Sequence, residues 1–144
     1  MSHNDKALKL FSEGANCAQS VLAAFCDETG LDQAQALKAA ACFGGGMKQG
    51  LTCGAVTGGL IVLGLKHGCA DHKDAAAKTR ITALTREFAA YFQKRHKACA
   101  CKDLLGVDIS TQAGHDAAAA QGLFKSKCPL LIASAVEVLE QIFP

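Results

Sequence analysis

Eight cysteines stand at positions 17, 26, 42, 53, 69, 99, 101 and 128 of a 144-residue chain. The thiolate form of cysteine binds soft metals and attacks disulfides, so a supply this rich directs attention to metal or redox chemistry. The competing account of any one of them is a small buried hydrophobe. The opening segment MSHNDKALKLF is polar and charged where a secretory leader needs an apolar run, so a cytoplasmic setting is expected and a disulfide scaffold is not.

Placement separates the eight. Asn16-Cys17, Thr52-Cys53 and Cys128-Pro129 each set a cysteine at the cap or first position of an expected helix. Unpaired backbone N–H groups and the positive end of the helix dipole favour an anion there and lower a cysteine pKa. Cys26 lies nine residues beyond Cys17, half a turn out of phase, and reads as core filler. Cys42 and Cys69 have no capping argument. Of the pair in Cys99-Ala100-Cys101, one is expected to join the others, and Cys101 is favoured because it opens the connection CKDLLG.

The elements that must position these residues are all helical. Apolar residues recur at helical spacing along the chain, and no run alternates with period two. We expect one all-α domain over residues 1–144, a bundle of about five to six helices around a glycine-rich central one. A first helix covers residues 5–13. Asn16 caps a second that carries Val21, Leu22 and Phe25 and ends before Gly30, and Asp32 caps a third that runs into Gly44, Gly45 and Gly46. Thr52 caps the central helix, where Gly54 and Gly58 share a face and admit a neighbouring backbone. A long amphipathic helix spans 71–97, with Ala77, Ile81, Leu84, Phe88 and Tyr91 as its stripe and Lys78, Arg80, Arg86 and Lys94 on its solvated side. After a connection with one short turn, a weak helix lies near 115–124, and a last helix runs from Cys128 to Phe143 with Pro129 in its first turn. The expected core contains Leu60, Leu63, Ile81, Leu84, Phe88, Leu131, Ala135 and Val138.

Composition narrows the partners. The 15 basic and 13 acidic residues are scattered without a basic stripe, so no nucleic acid is expected. The longest apolar run, 51–65, is shorter than the roughly 20 residues that span a bilayer and is diluted by glycine, so no membrane is expected either. A chain this apolar and this small is open to pairing as a homodimer. GGGMKQG lacks both phosphate-loop patterns and reads as a helix terminator, while Glu137 and Glu140 read as surface charge and His3 and His115 need no function.

Four pieces of the chain together resemble a family named for the pattern C, GCAxxG, C, C and described as redox-active. They are FSEGANCAQSVLAAF, GGGMKQGLTCGAVTGGLIVLGLKHG, CKDLLGVD and CPLLIASAVEVLEQI, and they cover most of the sequence. The central motif reads Cys53-Gly54-Ala55-Val56-Thr57-Gly58, with cysteine and glycine exchanged relative to the family's name. The resemblance implies a redox role with Cys17, Cys53, Cys101 and Cys128 as the functional positions.

Four chemistries follow. The leading one is an electron-transfer centre in which these four cysteines ligate an iron-sulfur cluster of the [2Fe-2S] type, exchanging electrons with a redox partner protein or a small-molecule thiol. Thiol-disulfide exchange by the same cysteines is the second, at a disadvantage for want of a C-x-x-C pair. A zinc or copper(I) module is the third, with His67, Cys69, His72 and His96, Cys99, Cys101 as local ligand sets of unusual spacing. An inert helical structural protein is the fourth.

Overall fold

The computed structural model describes residues 1–142, and among these it is all-α. Ten α-helices follow in order: α1 (His3–Ser12), α2 (Cys17–Ala24), α3 (Cys26–Thr29), α4 (Gln33–Ala39), α5 (Gly54–His67), α6 (Ala75–His96), α7 (Cys101–Leu105), α8 (Gln112–Ala120), α9 (Leu123–Ser126) and α10 (Cys128–Ile142). Six of them have eight or more residues, and the seven-residue α4 is the expected helix capped by Asp32. The other three are single turns or little more, set off by local breaks such as the non-helical Phe25 (φ −108°, ψ 21°) between α2 and α3. Among the described residues no helix is long and apolar enough to cross a membrane. The expected end of the last helix, Phe143, lies outside the described residues.

The caps explain most of the boundaries. Asn16 accepts from the Gln19 N–H while the Gln19 side chain accepts from Asn16 N–H, a reciprocal capping box that starts α2. Asp32 caps α4 through the Gln35 N–H. Two expected caps move. Cys53 rather than Thr52 is the N-cap of α5, because Thr52 is held in an isolated antiparallel bridge to Ala100. Asp74, accepting from the Ala77 N–H, starts α6 three residues after the expected Asp71. The third helix also stops early, at Ala39. From Gly45 through Gly46, Met47 and Lys48 the chain winds left-handed, and two of these residues carry a side chain that disfavours that conformation.

Helix α5 is the centre of the bundle, packed against α2, α6 and α10. Its glycine face meets α2 so closely that a Cβ on Gly58 would stand 2.6 Å from the Ala18 carbonyl oxygen and 2.9 Å from Ala18 Cα. No side chain fits there. Phe25, Phe88 and Phe92 are fully buried in the core, each contributing roughly 1.5–3 kcal/mol by leaving water. Helix α1 is clamped from outside by His3, whose ring stacks on Phe25 at 4.2 Å and bonds Glu28 (2.5 Å) and Glu140 (3.0 Å).

Of the expected core, Leu63, Phe88, Leu131, Ala135 and Val138 are buried. Ile81 and Leu84 are only half-buried, because α6 touches the bundle along α5 and α10 and presents the rest of its surface to solvent, and Leu60 of α5 is half-buried too. Glycine packing generates a contrast that thermal or urea denaturation can read. Gly58→Ala should cost about 1–3 kcal/mol by forcing α2 and α5 apart. Gly64→Ala, in the same helix with nothing within 4 Å of the added Cβ, should instead gain about 0.5–1 kcal/mol. Equal effects at both positions would contradict the close α2–α5 approach.

Candidate functional site

Four helices begin at one place. Cys17 is the first residue of α2, Cys53 is the N-cap of α5, and Cys101 and Cys128 are the first residues of α7 and α10. The α2–α5 contact holds the first two together, since a Cβ on Gly54 would lie 3.1 Å from the Cβ of Cys17. Cys101 is brought to them by the short bridge, in which Cys53 N–H donates to the Cys99 carbonyl (2.7 Å) and Cys101 N–H donates to the Leu51 carbonyl (2.5 Å). The Lys127 ammonium donates to the carbonyls of Leu104 and Leu105 at the end of α7, fastening that helix to the residue before Cys128.

All four side chains line one cavity of about 510 Å³. Its buried lining is sulfur and hydrocarbon, with Leu105, Ile109 and Leu131 beside the cysteines. Its exposed lining is largely polar, comprising Lys48, Ser110, Thr111, Gln112 and His115. The cavity therefore runs from a polar mouth to a floor of thiols. The four cysteines are free, as are Cys26, Cys42, Cys69 and Cys99.

Helix starts favour thiolate and burial opposes it, and burial decides at two of these positions. Burial pushes Cys53 up to about 12, against the pull of the Ala55 and Val56 N–H groups. It pushes Cys101 up to about 11, with a further push from the neighbouring Cys128. Cys17 and Cys128 behave as a pair within reach of a shared proton. Their hydrogen bond, reinforced by burial, raises Cys17 well above the ordinary thiol range, and the same bond brings Cys128 below it. The expectation that helix starts alone lower these thiols is thus corrected: of the four only Cys128 is lowered, and a neighbouring thiol is the main cause.

The remaining cysteines stay apart. Cys26 is half-buried against the core, Cys42 and Cys69 are exposed, and the Cys99 sulfur turns to the Ala89 carbonyl at 3.8 Å. Neither local histidine set assembles. His67 is engaged with Arg80, and His96 bonds the buried Ser134 hydroxyl at 2.8 Å while packing on Phe92. Among the described residues, no three His, Cys, Asp or Glu side chains are grouped closely enough to hold a metal ion.

The family profile described as "Putative redox-active protein (C_GCAxxG_C_C)" matches residues 15–142. The chain belongs to this family. No curated protein and no solved structure matches it. The order in the family's name, C, GCAxxG, C, C, is the order of Cys17, residues 53–58, Cys101 and Cys128 along the chain. Here the cysteine precedes the glycine, and the packing shows why a side chain at 54 would be crowded: its Cβ would also meet the Ala18 nitrogen at 3.1 Å.

Some lining residues escaped the sequence reading. His115, set aside there, faces the mouth and packs on Phe124 at 5.1 Å, and Lys48 reaches it from the left-handed turn. Cys101 was favoured for opening a connection, although that connection is itself a helix ended by Gly106 in the left-handed conformation. The visible signal was the glycine five residues after the cysteine.

The ionisation order can be measured by the pH dependence of iodoacetamide labelling, resolved by mass spectrometry. In the cofactor-free protein Cys128 should label at lower pH than an ordinary thiol, and Cys53 only in strong alkali. Cys17→Ala should move the Cys128 profile to higher pH by removing the shared proton. An unchanged Cys128 profile in that variant would contradict the pairing.

Proposed function

We propose that the chain is an electron-transfer protein whose Cys17, Cys53, Cys101 and Cys128 ligate an iron-sulfur cluster of the [2Fe-2S] type. The observation that carries this reading is the meeting of four thiols, each at the start of a helix, around one cavity. Cluster ligation calls for four cysteines, and the four helix starts favour the negative charge that such a centre carries. The bond to Cys128 at Cys17, and burial at Cys53 and Cys101, hold these thiols protonated to higher pH, so a metal group must displace those protons. Thiols buried together resist losing their protons to water, but a cation that takes their place relieves the repulsion, and metal binding accordingly releases protons. The bound group would supply one-electron transfer, while the protein holds the sulfurs and keeps water from the inner wall. The same grouping is less suited to one zinc or copper(I) ion, for which three or four ligands must close on a single point.

The Cys17–Cys128 pair favours a second reading, thiol-disulfide exchange. The Cys128 thiolate would attack a disulfide R–S–S–R, forming a mixed disulfide and releasing one thiolate. Cys17, after giving up its proton, would attack the Cys128 sulfur, forming the Cys17–Cys128 disulfide and releasing the second. Two protein thiols are oxidised and one disulfide is reduced to two thiols.

Purification without oxygen separates the two. The cluster reading predicts coloured protein with iron and acid-labile sulfide in equal amounts. Serine at 17, 53, 101 or 128 should lower the iron content severalfold or more, and Cys26→Ser should not. Colourless, iron-free protein that reduces a model disulfide would replace the cluster by exchange, and failure of both assays would overturn the redox assignment to these four residues.

A further inference from the structure

The cavity is larger than its sulfurs need. Its 510 Å³ falls within the roughly 300–1,000 Å³ of small-molecule pockets, and the four cysteines are only part of its lining. Beside them the buried wall is hydrocarbon from Leu105, Ile109 and Leu131. Passing electrons to another protein does not by itself call for an apolar lining beside the thiols.

The mouth has a charge preference. Lys48 is the one lining residue with a full charge, and among the described residues it forms no ion pair. Its backbone (φ 61°, ψ 13°) is left-handed, a conformation that a lysine adopts at a cost and that places it on the rim. The exposed lining also includes the hydroxyl and amide groups of Ser110, Thr111 and Gln112.

We propose that this cavity binds a small organic anion with an apolar body, the anionic group held at the mouth by Lys48 and the body lying along Leu105, Ile109 and Leu131 toward the thiols. Orientation follows from placement, since the one charged lining group, Lys48, is exposed at the rim while Leu105, Ile109 and Leu131 are buried. That the bound molecule is the reaction partner of the thiols rests on the redox reading above; that it binds does not.

Octanoate is a suitable probe and octanol its uncharged counterpart. Calorimetric titration of the purified chain should show saturable octanoate binding that is tighter than octanol binding. Lys48→Asn removes the charge with a residue that tolerates the left-handed backbone, and should weaken octanoate about fivefold and bring it level with octanol. Ser110→Trp, at an exposed position on the rim, should plug the mouth and abolish binding of both, with circular dichroism showing the helices intact. In iron-free protein octanoate should also slow iodoacetamide labelling of Cys128 while leaving the exposed Cys42 and Cys69 unaffected. No binding in the millimolar range, undiminished binding to the Ser110→Trp variant, or equal slowing at Cys42 and Cys128 would overturn the proposal. None of these readings depends on iron content, so loss of the cluster reading would leave it standing.

Discussion

The contact between the glycine face of α5 and the backbone of α2 is the constraint on which the site depends. With Gly58 against Ala18 and Gly54 against Cys17, the two helix starts are set side by side with no side chain between them. A single methyl at 58 would have to displace backbone, which well-packed interiors resist. The bridge at Thr52–Ala100 then delivers Cys101, and α10, packed on α5 and α2, delivers Cys128. Phe88 supports this arrangement by packing against α5 at Gly59.

Bringing helix starts together collects their positive ends, and burying them withholds solvation from any thiolate they might stabilise. Each helix start offers about 0.3–1 kcal/mol to a nearby anion at an exposed site, and up to about 2 kcal/mol where it is partly buried. Several like charges in one apolar cavity cost more than that, which is why Cys17, Cys53 and Cys101 are raised and only Cys128, bonded to Cys17, is lowered. The site is therefore incomplete electrostatically. A positively charged metal group among the sulfurs and an anion held outside them at Lys48 would each suit one part of this uneven field.

Much of this was legible in the sequence because helical signals are local. Asn16 and Gln19 spell a capping box, Gly54 and Gly58 spell a close approach, and the Phe88 stripe spells a buried face. The gathering of the cysteines around one cavity could be anticipated from their caps, yet their ionisation could not, because desolvation depends on which elements cover a residue. Cap positions slipped where a distant segment intervened: Thr52 surrendered its role to a bridge formed with a residue 48 positions away. The half-burial of Ile81 and Leu84 was hidden for a related reason, since a helical stripe records which face is apolar and not how much partner there is to cover it. Lys48 at the mouth follows from a left-handed turn that continues past its glycines into Met47 and Lys48, where local propensity argues against it.

The central claim is that four particular cysteines out of eight form one group. Mild oxidation of the cofactor-free protein with diamide, followed by disulfide mapping by mass spectrometry, tests it most directly. The account predicts intramolecular disulfides drawn only from Cys17, Cys53, Cys101 and Cys128, with Cys17–Cys128 formed first. Intramolecular bridges that join any of these four to Cys26, Cys42, Cys69 or Cys99 in natively folded protein would contradict it.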